Sequence, residues 1–114
     1  MRSLWSKKEC EAYLSDLVFT YKIHKSGDEV VLAIADKSII GKTFKEGNIE
    51  FHVSKDFYND RVCDKSQVKR LVKSSSIVNA VGKNIIALMI KEKIISRDSV
   101  LKIGDTFHAQ IFNI

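Results

Sequence analysis

The alternation of apolar and polar residues predicts two neighbouring strands near the start of the chain. Between Phe19 and His24 every second residue is apolar or aromatic, which is typical of a strand with one buried face. Residues 29–35 form an almost continuous apolar run, as expected for a strand in the middle of a sheet. The polar residues between the two runs include Gly27, so the pattern predicts a hairpin over residues 17–36.

The middle of the chain is more polar, and its pattern is less regular. Residues 49–53 alternate again and predict a further strand. The two isoleucines at 39–40 fit either a short strand or a single helical turn, because two residues define no period. Residues 54–64 are mostly polar but include two adjacent aromatic residues, Phe57 and Tyr58. We expect a long loop here that the two rings tie to the core.

Helical spacing of apolar residues begins in the second half of the chain. Apolar residues between Val68 and Val72 recur at helical spacing and predict a helix over residues 65–73. Asp64 or Ser66 is expected to cap this helix, because a side-chain oxygen at that position accepts the free N–H groups of the first turn.

A second, more apolar helix is predicted over residues 77–95. The run has too many apolar residues for one face, so it fits a helix that is buried on most of its circumference. Gly82 is a point at which this helix could divide, since Gly costs ~1 kcal/mol relative to Ala inside a helix. Two short strands, 100–103 and 107–111, are predicted around the turn at Gly104.

Together these elements predict a single α+β domain that spans residues 17–114. We expect a mixed, mainly antiparallel sheet that is formed by the 17–36 hairpin, the strand at 49–53 and the two C-terminal strands. The two helices, 65–73 and 77–95, are expected to cover one face of this sheet. A length of 114 residues is sufficient for one such domain.

Residues 1–16 are predicted to form an N-terminal extension with an amphipathic helical pattern. The extension docks loosely on the domain, or results from a start codon that was assigned too far upstream, or acts as a partner-binding arm. The last alternative follows because an aromatic residue such as Trp5 is a frequent anchor in protein interfaces. Charged residues interrupt its apolar ones, so it does not have the apolar centre of a signal peptide. Apolar runs such as 85–90 are far shorter than the ~20 residues of a membrane span, and no membrane association is expected.

Cysteine content favours a reducing environment. The chain has two cysteines, Cys10 and Cys63, which are too few for a disulfide framework and have no metal-site spacing. A cytoplasmic location is therefore expected. Cys63 has cationic neighbours in the sequence, which would make its thiol reactive only if it were exposed.

Positive charge is concentrated in one part of the chain. The net charge is +5, yet residues 61–97 alone contain nine Lys or Arg and only two acidic residues. Within this segment Lys65, Lys69 and Lys73 recur every fourth residue and line one side of the predicted helix, with Arg70 beside them. Such a row is either a solvated helix face or a surface that binds RNA phosphates.

Four motifs, in order, resemble an archaeal small-protein family, the domain of unknown function 424. The motifs are DKSIIGKTFKEG (36–47), DFY (56–58), IVNAVGKNIIALMI (77–90) and VLKIGDTFHAQI (100–111). The residues shared with the family motifs are Asp36, Gly41, Lys42, Tyr58, Gly82, His108 and Gln110.

The resemblance covers residues 18–112 and departs from the family in two places. Thr106 and Phe107 stand where the family frequently has a proline before the last His, and residues 1–17 extend beyond the usual start. The resemblance implies an archaeal cytosolic protein that is linked to translation genes, and it implies no activity.

Asp36 and His108 are the candidates for acid and base chemistry. Asp36 ends an apolar strand, where it is either a general base or a cap that accepts backbone hydrogen bonds. His108 and Gln110 share one face of a predicted strand, where they either anchor the strand or contact a ligand. A catalytic His would require an orienting acid within hydrogen-bond reach, and Asp36 is the candidate.

Gly41 and Lys42 resemble the end of a phosphate-binding loop, but Asp36 stands where the first glycine of that motif would be. Lys42 is therefore either a solvated lysine or a contact to an RNA phosphate. The three histidines and Cys63 lie at spacings that match no metal motif. Hence no metal and no cofactor are predicted.

Three functional hypotheses follow from these features. The first is a non-catalytic RNA- or ribosome-associated protein of the archaeal translation apparatus, in which Asp36, Lys42, His108 and Gln110 make a specific contact. The cations expected to bind phosphates are Lys65, Lys69, Arg70, Lys73 and Lys42. The second is a small hydrolase-like enzyme that uses Asp36 and His108 as acid and base. The third is a protein-binding adaptor that uses the arm around Trp5.

Overall fold

The computed structural model describes residues 18–113, which form a six-stranded mixed sheet, a separate two-stranded sheet and three α-helices. The strands are β1 Phe19–Ser26, β2 Glu29–Asp36, β3 Thr43–Glu46, β4 Ile49–His52, β5 Arg61–Cys63, β6 Ile77–Val81, β7 Val100–Ile103 and β8 Thr106–Phe112. The helices are α1 Lys55–Tyr58, α2 Lys65–Lys73 and α3 Lys83–Lys91. The predicted α+β class is confirmed. The predictions for residues 1–16 and Trp5 fall outside the described part of the chain.

The large sheet has the strand order β5-β1-β2-β6-β8-β7. In this sheet β2 and β6 pair in parallel, and all the other neighbouring strands pair antiparallel. The prediction of a mixed, mainly antiparallel sheet is therefore confirmed. The predicted hairpin at the start of the chain is the β1–β2 pair, in which Phe19 lies opposite Asp36.

Each face of the large sheet is covered by different elements. On one face, which we call the helix face, α2 and α3 pack on a core that includes Leu32, Val78 and Met89. On the other, which we call the hairpin face, the β3–β4 hairpin and α1 pack around Ala33 and Val81. The sheet is therefore buried on both sides, and this explains why the sequence of β2 is an almost continuous apolar run.

The predicted helix over 77–95 is confirmed only over residues 83–91. Residues 77–81 are strand β6, which lies in the middle of the sheet between β2 and β8. Both faces of a central strand are buried, so its sequence shows no alternation and resembles a buried helix. Gly82 ends the strand, and only residues 83–91 are helical. The predicted helix over 65–73 is confirmed.

The middle of the chain also differs from the prediction. The strand predicted at 49–53 does not join the main sheet, because β4 pairs with β3, which the sequence pattern did not predict. The stretch 54–64, predicted as a loop, contains α1 and β5. Residues 37–39 form a single helical turn, one of the two alternatives for this segment. Within the described residues, no helix is long and apolar enough to cross a membrane.

Candidate functional site

Asp36 lies at the end of β2, buried beneath the first turn of α3. Its carboxylate accepts hydrogen bonds from the backbone N–H groups of Asn84 at 2.9 Å and Ile85 at 2.8 Å. Burial raises the pKa of this carboxyl, and the two hydrogen bonds oppose that rise. Asp36 thus caps a helix that begins 47 positions later in the chain, because its side chain supplies acceptors to N–H groups that have no partner within the helix.

The parallel pairing of β2 with β6 brings Asp36 to this position. Ala35 lies beside Val81 in the register, so the two strands end together and their next residues, Asp36 and Gly82, meet. Gly82 has φ +131°, and a Cβ at this position would lie 2.6 and 2.7 Å from the two carboxylate oxygens. The site therefore requires glycine for both the backbone conformation and the space.

Tyr58, Asn79 and His108 form a hydrogen-bonded cluster on the hairpin face. The Tyr58 hydroxyl donates to Asn79 Oδ1 at 2.6 Å, and His108 Nε2 lies 2.9 Å from the same oxygen. Since a carbonyl oxygen only accepts, His108 must carry its proton on Nε2. Three elements meet here: α1 contributes Tyr58, β6 contributes Asn79, and β8 contributes His108. We call these three residues the Tyr–Asn–His cluster.

Burial sets the protonation states within the Tyr–Asn–His cluster. The pKa of His108 is lowered and that of Tyr58 is raised, in both cases because desolvation disfavours the charged form. The ring of His108 also lies against Phe51 of β4, with ring centroids 5.1 Å apart. The cluster therefore joins the β3–β4 side of the hairpin face to the main sheet through neutral groups.

Gln110 shares the hairpin face with His108, as the two-residue spacing predicted. It lies opposite Asn79 in the β6–β8 register, and its side chain is exposed. Asn79 was missed as a site residue, although one signal was present. It is the polar residue within the apolar run IVNAV, and a polar side chain in such a run usually has a hydrogen-bond partner.

The structure does not bring Asp36 and His108 together. Asp36 follows Ala35 and points to the helix face, where its partners are backbone N–H groups of α3. His108 is paired in the register with Val81, which belongs to the hairpin-face core. The two side chains thus lie on opposite faces of the sheet, and the shared hydrogen bond that an acid–base pair requires is not formed.

Gly41 and Lys42 lie in the turn before β3. Both form backbone hydrogen bonds with Val53. The Gly41 N–H donates to the Val53 carbonyl, and the Val53 N–H donates to the Lys42 carbonyl, each at 2.8 Å. The Lys42 side chain is exposed. Because Val53 belongs to the hairpin-face core, Lys42 is not on the same side of the sheet as α2.

Helix α2 presents the basic row that the sequence predicted. Asp64 caps its first turn by accepting from the Ser66 N–H at 3.0 Å, and Gln67 Oε1 accepts a hydrogen bond from the Asp64 N–H. Val68 and Val72 are buried against the helix-face core, so the opposite side of the helix faces solvent. The exposed cations are Lys65, Lys69, Arg70 and Lys73. We call them the basic row.

The basic row is free of ion pairs within the described residues. The ion pairs found there join other residues, namely Lys45–Glu50, Arg61–Asp60 and Lys102–Glu46. The acid nearest to the row in sequence, Asp64, is engaged by Ser66, and these hydrogen bonds hold its pKa below the usual value. The positive charge of the row therefore stays available to a ligand.

Phe57 and Tyr58 tie α1 to the sheet, as predicted. The Phe57 ring stacks on His24 with centroids 4.5 Å apart, and His24 Nε2 contacts the Phe57 carbonyl at 2.9 Å. Tyr58 is only 2% exposed. The Tyr58 ring is thus part of the core.

Cys63 is a buried free thiol. Its burial and the nearby Asp64 charge raise its pKa to about 11. It is therefore a protonated thiol at neutral pH. Among residues 18–113, no group of three or more His, Cys, Asp or Glu side chains is arranged to hold a metal ion.

Comparisons with known proteins identify the family and the fold. A family model described as protein of unknown function (DUF424) matches residues 24–114. No curated protein sequence matches the chain. The crystal structure of an uncharacterized conserved protein from Methanopyrus kandleri is similar, with a TM-score of 0.69 and 22% identity over 83% of this chain and 90% of that chain. At this level of identity the likeness shows a shared fold.

Proposed function

The chain belongs to the DUF424 family of proteins of unknown function, and we propose that it is a non-catalytic RNA-binding protein that associates with ribosomal subunits in the cytoplasm. The basic row on α2 makes the proposed contacts to RNA phosphates. The observation that carries the proposal is that these four cations are exposed together on one helix, without an ion pair to a described acidic residue.

Unpaired cations favour phosphate binding for an electrostatic reason. A cation that already has a carboxylate partner must give up that partner to bind a phosphate, whereas the basic row loses only water and counterions. Binding also releases counterions from the RNA, which makes affinity depend on salt. Four phosphate contacts to a single strand predict a slope of about −3 in a plot of log affinity against log salt concentration.

The rigidity of α2 supports the same proposal. The capping box at Asp64 and the buried Val68 and Val72 hold the helix in place. The backbone that carries the four cations is therefore already ordered before RNA binds. Contacts of this type position a protein on RNA without reading its sequence. They suit a protein that docks on a large folded RNA such as that of a ribosomal subunit.

The first experiment measures RNA binding by fluorescence anisotropy with a labelled single-stranded RNA between about 50 and 200 mM salt. The triple variant Lys69→Glu, Arg70→Glu and Lys73→Glu is expected to lose binding at every salt concentration. Its matched control is Lys25→Glu, Lys37→Glu and Lys55→Glu, which changes the net charge equally at exposed positions outside α2. We expect the control to bind more weakly but to keep the salt slope of the wild type.

Co-sedimentation with ribosomal subunits from an archaeal lysate then tests the partner. We expect the wild type to sediment with a subunit at low salt and the α2 variant to remain in the supernatant. Equal losses for the α2 variant and its control would mean that net charge alone drives binding, and this would refute a specific role for the row. RNA binding without sedimentation would refute the ribosomal part of the proposal.

A further inference from the structure

A groove of about 550 Å³ lies on the helix face, between α3 and the edge strand β7. Helix α3 packs over β2, β6 and β8, and the groove lies along the side of the helix that points towards β7. The groove floor is apolar and is formed by Ile86, Ala87 and Ile90 of α3 with Val100 and Phe107 of the sheet. This floor is separate from the basic row, which is on α2.

Cations surround the apolar floor. Lys83 and Lys91 are the first and last residues of α3, and helical rise separates their Cα atoms by about 12 Å. Arg97 adds a positive charge from the turn before β7, and Lys102 lies on β7 itself. Among residues 18–113, no acidic side chain lines the groove. Lys102 is paired with Glu46 at 3.6 Å, whereas no ion pair in the described residues engages the other three cations.

We infer that this groove binds a protein partner through an acidic amphipathic helix. The apolar side chains of the partner helix lie on the floor, and its acidic residues contact the cations at either end. Amphipathic helices commonly bind in this way, with an apolar stripe in a hydrophobic groove. The inference goes beyond the proposed RNA binding, since it concerns another surface and another class of partner.

Two features distinguish this partner from other ligands of the same charge. In the part of the chain that the structure describes, the floor is mainly aliphatic, with Phe107 as its one aromatic residue, and so it favours aliphatic side chains over stacked bases. The cations stand at both ends of the groove, so a ligand with one acidic head group and one apolar tail would leave one end unpaired. A helix with acidic residues two turns apart matches the separation of Lys83 and Lys91, because two turns span about 11 Å.

The test uses two fluorescein-labelled helical peptides with the same Leu face. One carries Glu residues two turns apart beside that face, and the other carries Lys residues at the same positions. Anisotropy with the full chain is expected to detect binding of the Glu peptide only. Ala87→Trp fills the floor at an exposed position, and Lys83→Gln with Lys91→Gln removes the end charges. Each change is expected to weaken binding by about tenfold, which lies between the loss for an ordinary interface residue and that for a hot spot.

Control variants keep the two ligand sites distinguishable. Lys69→Gln with Lys73→Gln makes the same charge change on α2, and we expect it to weaken RNA binding while leaving peptide affinity within about threefold. Ala87→Trp is expected to retain RNA binding, which also reports that it is folded. Equal binding of the two peptides, or unchanged peptide affinity in Ala87→Trp, would overturn the inference. So would self-association of the wild type that Ala87→Trp abolishes, because the occupant would then be a second copy of the chain.

Discussion

At the residue scale, the Asp36–Gly82 contact leaves no room for a side chain at position 82. It joins the ends of two parallel strands to the start of α3 through two hydrogen bonds. Asp36 is an acid in a motif that could have been catalytic, yet its two oxygens are used by backbone N–H groups. Its role in the structure is therefore to cap the first turn of α3.

Replacing Gly82 with Ala is expected to destabilise the protein by about 3 kcal/mol. The new Cβ would collide with the Asp36 carboxylate, and the cost combines backbone strain of ~1–3 kcal/mol with the loss of a cap. Urea unfolding measures the difference. Gly47→Ala is the control, because Gly47 also has positive φ, +59°, but open space around it, and it should cost only about 1 kcal/mol. Equal costs for the two variants would contradict the steric explanation.

His108 is expected to make the stability of the fold depend on pH. Its pKa in the folded protein is below the usual 6.5, so the unfolded chain takes up the proton first. The free energy of unfolding should therefore fall as the pH is lowered from about 6.5 towards the folded pKa, and be independent of His108 above that window. Denaturant titrations at several pH values measure this dependence.

The control for this prediction is a second histidine. His108→Gln should remove the decrease in stability below about pH 6.5, whereas His52→Gln, at an exposed position of β4, should retain it. A decrease of the same size in His108→Gln would show that other groups cause it.

At the scale of elements, the β3–β4 hairpin is attached to the main sheet at two places. Phe44 and Phe51 pack on the hairpin-face core. At the hairpin tip, Glu46 accepts a hydrogen bond from the Gly104 N–H at 2.9 Å and pairs with Lys102. The tip contact is exposed, so we expect it to influence the local motion of the hairpin more than the stability of the whole fold.

Glu46→Ala should therefore increase hydrogen exchange locally. We expect faster exchange of the backbone amides of β3 and β4, with unchanged protection of the central strand β6, because opening of the hairpin leaves the main sheet intact. Exchange measured by mass spectrometry would show the difference. Glu50→Ala, which breaks the Lys45–Glu50 pair within the hairpin, is the control and should leave exchange nearly unchanged. Faster exchange in β6 as well would mean that the hairpin opens only with the whole fold.

At the scale of the whole molecule, the two faces of the sheet carry different surfaces. The helix face holds both the basic row on α2 and the cation-rimmed groove beside α3. The hairpin face holds the neutral Tyr–Asn–His cluster and Lys42. The cations of α2 and α3, which belong to the positively charged segment 61–97, thus lie on the helix face. The proposed RNA contact is therefore on that side of the sheet.

Lysine footprinting should locate that side. When the protein is acetylated with and without RNA, we expect Lys65, Lys69 and Lys73 to be protected, because phosphates would cover their amino groups. Lys42 and Lys55 lie outside the row and should react equally in both samples, although Lys42 was among the cations predicted from the sequence. Mass spectrometry measures each site. Protection of Lys42 but not of the row would place the RNA on the hairpin face instead.

Local and long-range interactions determine different parts of this fold. The sequence by itself determined the β1–β2 hairpin, helix α2 with its cap and exposed cations, and the shared face of His108 and Gln110. Each of these depends on residues that are close in the chain, where periodicity and capping preferences act directly. The family resemblance, confirmed by the match to residues 24–114, likewise rested on ordered local motifs.

Only the tertiary structure decided which distant residues meet. The β2–β6 pairing made 77–81 a strand, placed Asp36 against Gly82, and set Asn79 between Tyr58 and His108. A central strand and a buried helix are both continuously apolar, so the sequence pattern could not separate them. The choice depended on partners far away in the chain, and the same pairing put the two supposed catalytic residues, Asp36 and His108, on opposite faces of the sheet.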